Sequence, residues 1–148
     1  MPVTRRSDIL PATPDRLWAI VSDPHHLPRW WPGVQRVEGV GDGRFTKVLV
    51  TRKGRAVRMD FALVADEPPA RRRWAQELAD TPFERLMAAA AEEVALAPAG
   101  RAGEATEVTL TLDRRLRGWS RFGGFFFRRA ARTELDGALE GLREVVGG

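Results

Sequence analysis

The chain has no cysteine and no tyrosine, two histidines, and only two lysines, Lys47 and Lys53, in 148 residues. Without cysteine there is neither a disulfide framework nor a thiolate zinc site. The two histidines, His25 and His26, are adjacent, and neighbouring side chains on a helix diverge by about 100°, so they do not converge on one ion. No clustered carboxylates complete a site around them, and neither a metal nor a cofactor is expected. No apolar run approaches the roughly 18 residues of a membrane span, and Arg5, Arg6 and Asp8 interrupt any apolar leader at the start. A soluble, cytoplasmic protein without membrane insertion is the expectation. A nucleophile elbow, a phosphate loop, a metalloprotease motif and a dinucleotide fingerprint are all missing, which removes the enzyme classes that depend on them.

The formal charge of +4 raises the question of nucleic acid. The basic residues other than the two lysines are arginines, and the runs Arg71-Arg72-Arg73, Arg114-Arg115 and Arg128-Arg129 are spread along the chain with Glu77, Glu84, Glu92 and Glu93 between them. A modest charge distributed this way predicts a solvated surface and no specific nucleic-acid partner. The length suits a single domain, residues 1–148, able to bury a core without staples.

Within these limits, the segment TPDRLWAIVSDPHHLPRWWPGV from Thr13 to Val34 is the most informative. Thr13 and Asp23 can each cap a helix, and Pro14 and Pro24 then occupy the first helical position, where a missing N–H costs nothing. Leu17, Ile20 and Val21 give the first helix an apolar face, and Trp30, Trp31 and Pro32 end the second. Strands are predicted at Val3 to Leu10, Val34 to Val40, Arg44 to Arg52, Arg55 to Ala65, Arg71 to Leu78 and Ala105 to Leu116, with Asp42-Gly43 as a tight hairpin. Thr81-Pro82-Phe83-Glu84 fits a capping box, and the residues after it are helix formers, so local propensity there says helix. Ser120 is a candidate cap for a final helix whose apolar stripe is Phe127, Ala131, Leu135, Ala138, Leu142 and Val145, flanked by Leu139 and Val146.

The segments LWAIVSDPHHLPRWWPGV, RRRWAQELADTPFER, EVTLTLDRRLRG and RRAARTELDGALEGL, in this order and spacing, resemble the START-like (SRPBCC) superfamily, most closely its polyketide cyclase/dehydrase-like branch. The resemblance covers nearly the whole chain. It implies an α+β helix-grip fold, a curved antiparallel sheet of about seven strands wrapped around a long C-terminal helix, with two short helices after the first strand. It also implies a strand from about Arg85 to Ala97 in place of the helix that propensity favours, since tertiary pairing overrides propensity. Between sheet and helix the family keeps a hollow for a lipid, polyketide or other hydrophobic small molecule.

The candidate ligand-binding residues are Trp30, Trp31, Met59, Phe61, Trp74, Gln76, Phe83 and Phe127. Met59, Phe61, Trp74 and Phe127 are predicted to point inward, where they equally describe a packed core. Gln76 shares a strand face with Trp74 and Leu78, and a buried amide there needs a partner, a ligand oxygen or a neighbouring group. Trp30, Trp31 and Phe83 are placed at the mouth, with His26 as the titratable group nearest to it. Alternation turns Arg58 and Asp60 outward, and the lack of tyrosine removes a common polar lining group. No catalytic residue is identified, and binding is ranked ahead of cyclase or dehydrase chemistry. A third reading is an interaction module of the chaperone-activator kind, for which Phe125 and Phe126 could form a partner surface or homodimer contact, unless they pack as a satellite core under the Gly118 loop.

Overall fold

The computed structural model describes residues 3–51, 53–118 and 123–147. Strand β1 (Val3–Leu10) is followed by helix α1 (Pro14–Val21), a 3-10 turn (Pro24–His26) and the single-turn helix α2 (Leu27–Trp30). Strands β2 (Val34–Gly41), β3 (Arg44–Val50), β4 (Ala56–Glu67) and β5 (Arg71–Glu77) come next, then a 3-10 turn (Pro82–Arg85), β6 (Met87–Ala99), β7 (Ala105–Leu116) and helix α3 (Gly124–Gly147). The strands make one antiparallel sheet in the order β1-β7-β6-β5-β4-β3-β2. The predicted cap at Ser120 lies outside the described residues.

Local chemistry accounts for most of these boundaries. The Thr13 side chain accepts a hydrogen bond from the Arg16 amide, the Asp23 side chain accepts one from the His25 amide, and a proline follows each cap. Asp42 and Gly43 both have positive φ, at 52° and 72°, between the paired residues Gly41 and Arg44, as a two-residue hairpin loop requires. Thr81 caps the turn by accepting from the Phe83 amide, but the expected capping box does not close: Glu84 accepts from the Asp80 amide at 3.0 Å, while the Thr81 amide donates to the Leu78 carbonyl. The helix Thr81 starts ends after Arg85, because the next thirteen residues pair with β7 from Met87 opposite Leu116 to Ala99 opposite Ala105. Long-range pairing therefore wins over propensity, and the strand runs two residues beyond the expected end at Ala97.

Breaks in register between Val34 and Arg36, Leu63 and Ala65, and Met87 and Ala89 bend the sheet around α3. The core lies between α3 and the sheet face carrying Val94, Leu96, Val108, Leu110 and Leu112, with Leu10, Leu17 and Trp30 beside it. Helix α3 contributes Ala131, Leu135, Ala138, Leu139, Leu142 and Val146. Val146, rather than Val145, completes the buried stripe; Val145 is half-buried. Arg6 bonds Asp136 at 2.7 Å and Arg143 bonds Asp8 at 2.6 Å, so two ion pairs tie the edge strand β1 to α3.

Two glycines set how close α3 comes to α2. A Cβ on Gly141 would lie 2.3 Å from the Trp30 carbonyl oxygen, and one on Gly137 would lie 2.7 Å from the Pro32 ring. The Trp30 carbonyl is backbone and cannot rotate away. Gly141→Ala is therefore expected to destabilise the protein by about 3 kcal/mol through overpacking, read by chemical denaturation, with Glu140→Ala on the exposed face as a near-neutral control.

The Arg143 hydrogen bond holds the Asp8 carboxyl below its ordinary value of 3.8, partly opposed by desolvation. A depressed folded-state pKa gives stability that is present above the unfolded value and lost as pH falls through the folded one. Asp8→Asn should thus lower Tm at neutral pH, and its difference from the wild type should close as pH drops below about 4. A difference that persists unchanged in acid would show that the carboxylate charge is not the source.

Candidate functional site

Strand alternation turns Phe45, Lys47 and Leu49 of β3 toward α3. Lys47 is only 2% exposed, and its Nζ donates to both carboxylate oxygens of Glu92 on β6, at 2.5 and 2.6 Å. The same Nζ lies 4.0 Å from the centroid of a Trp31 ring and 5.0 Å from that of Phe61. A buried ammonium is tolerable here because a carboxylate and two aromatic faces replace its hydration. The Trp31 indole N–H donates to Glu134 Oε2 at 2.8 Å, and Glu134 Oε1 accepts from Arg114 at 3.1 Å. Trp31 thus sits between two ion pairs, one on the sheet and one joining β7 to α3.

These groups stand between two hollows. The larger is an open cleft of about 1080 Å³ beneath the first half of α3, lined by Leu49, Met59, Gln76, Phe83, Met87, Phe126, Phe127 and Thr133, with Lys47, Arg114 and Glu134 on its wall. The smaller, about 40 Å³, lies under the α1–α2 pair between Leu27, Trp30, Trp31, Phe45, Trp74 and Leu110. Lys47 borders both.

Of the eight residues expected at a ligand site, Met59, Gln76, Phe83 and Phe127 line the cleft. Trp30, Trp31 and Trp74 line the small hollow instead. Trp30 and Trp31 are 5% and 6% exposed, which corrects their placement at the mouth: both indoles turn into the small hollow beside Phe45, Trp74 and Leu110, while α3 seats on the Trp30 carbonyl and the Pro32 ring through Gly141 and Gly137. Phe61 lines neither hollow; it stacks on Phe45 at 5.1 Å in the core. Phe127, expected to point inward, is 38% exposed, because the buried stripe of α3 begins only at Ala131.

Phe125 and Phe126 are 58% and 70% exposed and pack edge to face on each other, so they form no satellite core. Arg58 and Asp60 face outward as expected, bonding Glu38 and Thr46. His26 lines neither hollow and contacts Arg29 and Asp23. Among the described residues no cluster of histidine and carboxylate groups could hold a metal ion, and no helix is long and apolar enough to cross a membrane.

Gln76 carries the one irregularity of the cleft wall. Its Nε2 is buried and has no hydrogen-bond partner among the described residues, although a buried amide N–H without a partner is uncommon. Lys47 and Glu92 were missed from the sequence, yet the signal was there. Lys47 falls in the inward phase of a strand between Phe45 and Leu49, and Glu92 falls in the inward phase set by Ala90 and Val94.

Similarity to known proteins agrees with this architecture. A START superfamily protein from Mycobacterium smegmatis superimposes with a TM-score of 0.80 at 14% identity, over 98% of this chain and 97% of that one. The protein TTHA0849 from Thermus thermophilus gives a TM-score of 0.71 at 25% identity, over 97% of this chain and 95% of that one. The di-domain aromatase/cyclase BexL from the BE-7585A biosynthetic pathway gives a TM-score of 0.79 at 23% identity, over 99% of this chain but 47% of that protein. No curated protein matches the sequence significantly. The family model for polyketide cyclase/dehydrase and lipid transport proteins matches residues 1–147, and the chain belongs to that family.

Proposed function

We propose that the cleft between the sheet and the first half of α3 binds an uncharged, mostly apolar small molecule, a lipid, polyketide or aromatic compound bearing a hydrogen-bond-accepting oxygen. The observation that carries this reading is the unpartnered Nε2 of Gln76 on an otherwise largely apolar wall. A buried donor left unsatisfied costs about 1–3 kcal/mol, which a ligand carbonyl or hydroxyl oxygen would recover once rotation of the Gln76 side chain turns its amide toward the cleft. The charges on the wall support an uncharged body for the ligand. Lys47 is taken up by Glu92 and Arg114 by Glu134, so a charge held deep in the cleft would have to break a pair; Arg129, the lining cation without an ion pair among the described residues, stands exposed at the rim.

In this reading Met59, Phe83 and Phe127 hold the apolar part, and Gln76 fixes its orientation. Trp30, Trp31, Phe61 and Trp74 act behind the wall, giving the cleft its shape. The family's description, which joins polyketide cyclisation to lipid transport, fits a ligand of this class. The protein acts in the cytoplasm on this reading, and no specific nucleic acid is a ligand.

A neutral solvatochromic dye such as Nile red tests the cleft. It should bind with a blue shift, and a long-chain methyl ketone should displace it about five- to tenfold better than the alkane of equal length, the ratio one hydrogen bond supplies. Gln76→Leu should keep the dye bound and erase the preference for the ketone. Absence of dye binding, or a preference unchanged in Gln76→Leu, would overturn the reading.

The Lys47–Glu92 pair, whose lysine stands in the wall, has its own signature. Lys47→Met leaves the Glu92 carboxylate buried without its counter-charge and should lower unfolding free energy by about 3–5 kcal/mol. Lys47→Met combined with Glu92→Leu should restore most of the loss, which paired denaturation curves would show.

A further inference from the structure

The arginines fall into two populations. Arg6, Arg36, Arg44, Arg58, Arg71, Arg72, Arg73, Arg114 and Arg143 are each engaged by a carboxylate. Arg85, Arg115, Arg117, Arg128, Arg129 and Arg132 are exposed and make no ion pair among the described residues. Arg5, Arg16, Arg29, Arg55 and Arg101 are likewise exposed and without an ion pair among the described residues, scattered over β1, α1, α2 and the β3–β4 and β6–β7 turns, but the six named before them lie close together in the fold.

The fold brings them to one end of the molecule. The Arg117 amide donates to the Leu86 carbonyl at 2.8 Å, and Arg115 lies opposite Ala89, which sets both beside Arg85 at the start of β6. Leu86 lines the cleft together with Phe126, Phe127 and Arg129 from the first turns of α3. Arg128, Arg129 and Arg132 follow Phe125 at spacings of three, four and seven residues, so they share a helix face with it.

The same end is greasy. Phe125, Phe126 and Leu86 are 58%, 70% and 43% exposed. Neither feature serves the stability of the helix. The first turn of α3 has no acidic residue, and arginines beside a helix N-terminus oppose its dipole. Large apolar side chains left in water gain nothing from folding.

We propose that this end of the molecule docks reversibly on an anionic lipid bilayer, with Phe125, Phe126 and Leu86 at the depth of the headgroups and the arginines against the negative surface. Exposed aromatic side chains beside a basic cluster are the composition that an anionic membrane interface favours. The bilayer fits better than nucleic acid or an acidic protein for one geometric reason. Leu86 and Phe126 also line the cleft, so the docked surface and the cleft wall form one continuous apolar path. A molecule leaving the bilayer would reach the cleft without crossing water. Docking itself is independent of which ligand the cleft takes.

Co-sedimentation with vesicles tests this directly. The full chain should pellet with mixed phosphatidylcholine–phosphatidylglycerol vesicles, stay in solution with phosphatidylcholine alone, and be released by salt. Arg128→Gln with Arg132→Gln, neither residue lining the cleft, should weaken binding about tenfold or more, since each arginine near such a surface contributes a several-fold factor. Phe125→Ser should weaken it further in either background. Nile red binding by the same variants should match the wild type, which separates lost docking from lost fold or lost cleft. No pelleting of the wild type with anionic vesicles would overturn the proposal. So would pelleting that the arginine and Phe125 variants retain, and so would tight binding of single-stranded RNA or an acidic carrier protein at this end without vesicle binding.

Discussion

The height of α3 above the sheet is set by a backbone contact. Gly141 lies against the Trp30 carbonyl and Gly137 against the Pro32 ring at distances that admit no side chain. Because α2 is a single turn wedged beside β2, this contact fixes the second half of α3 close to β1, β7 and α2. There Leu135, Ala138, Leu139 and Leu142 are buried and fill the space. Helix α3 runs on unbroken from Gly124 to Gly147 while the sheet bends away beneath its first turns, so the gap at the other end is a geometric consequence of the close seat. An apolar core at one end and a cleft of about 1080 Å³ at the other thus have a common cause.

That cleft would be hard to keep if its wall carried free charge. Lys47 is the most buried charged side chain among the described residues, and the bidentate Glu92 carboxylate together with the Trp31 and Phe61 faces substitutes for water around it. Trp31 joins this pair to Glu134, and Glu134 joins α3 to Arg114. Polar groups that cross the hollow therefore hold helix and sheet together where apolar packing cannot. Such a network stabilises only when each member is satisfied; outside it, Gln76 Nε2 on the cleft wall, Trp30 Nε1 and Asp113 Oδ1 are buried without a partner among the described residues.

What could be read from the sequence was whatever depends on local pattern. Caps at Thr13, Asp23 and Thr81, the Asp42-Gly43 hairpin, the alternation of β4 and the middle of the α3 stripe, from Ala131 to Leu142, are properties of a few neighbouring residues, and each forms in the structure. The departures come from contacts between distant segments. Trp30 and Trp31 are buried against Phe45, Trp74 and Leu110 of strands distant in sequence, and no local signal reports that. Phe127 fits the helical stripe by spacing, but the stripe has nothing to pack on before Ala131 because the sheet has curved away. Lys47 was legible in phase but easily passed over, since the carboxylate that makes its burial acceptable is 45 residues distant.

The two halves of α3 answer different physical demands. From Ala131 onward its sequence is shaped by burial, with alanine and glycine where the backbone of α2 approaches and leucine where the sheet allows volume. Before Ala131 the residues Phe125 to Arg129 are large and exposed, and they bring aromatic surface and positive charge to the open side of the cleft. A segment that adds so little to the core and leaves apolar area in solvent costs solubility. Placed elsewhere on the surface, the same side chains would be a liability with no compensating contact. At the rim of the cleft they extend its apolar wall outward, so one helix both closes the fold and forms the entrance to its hollow.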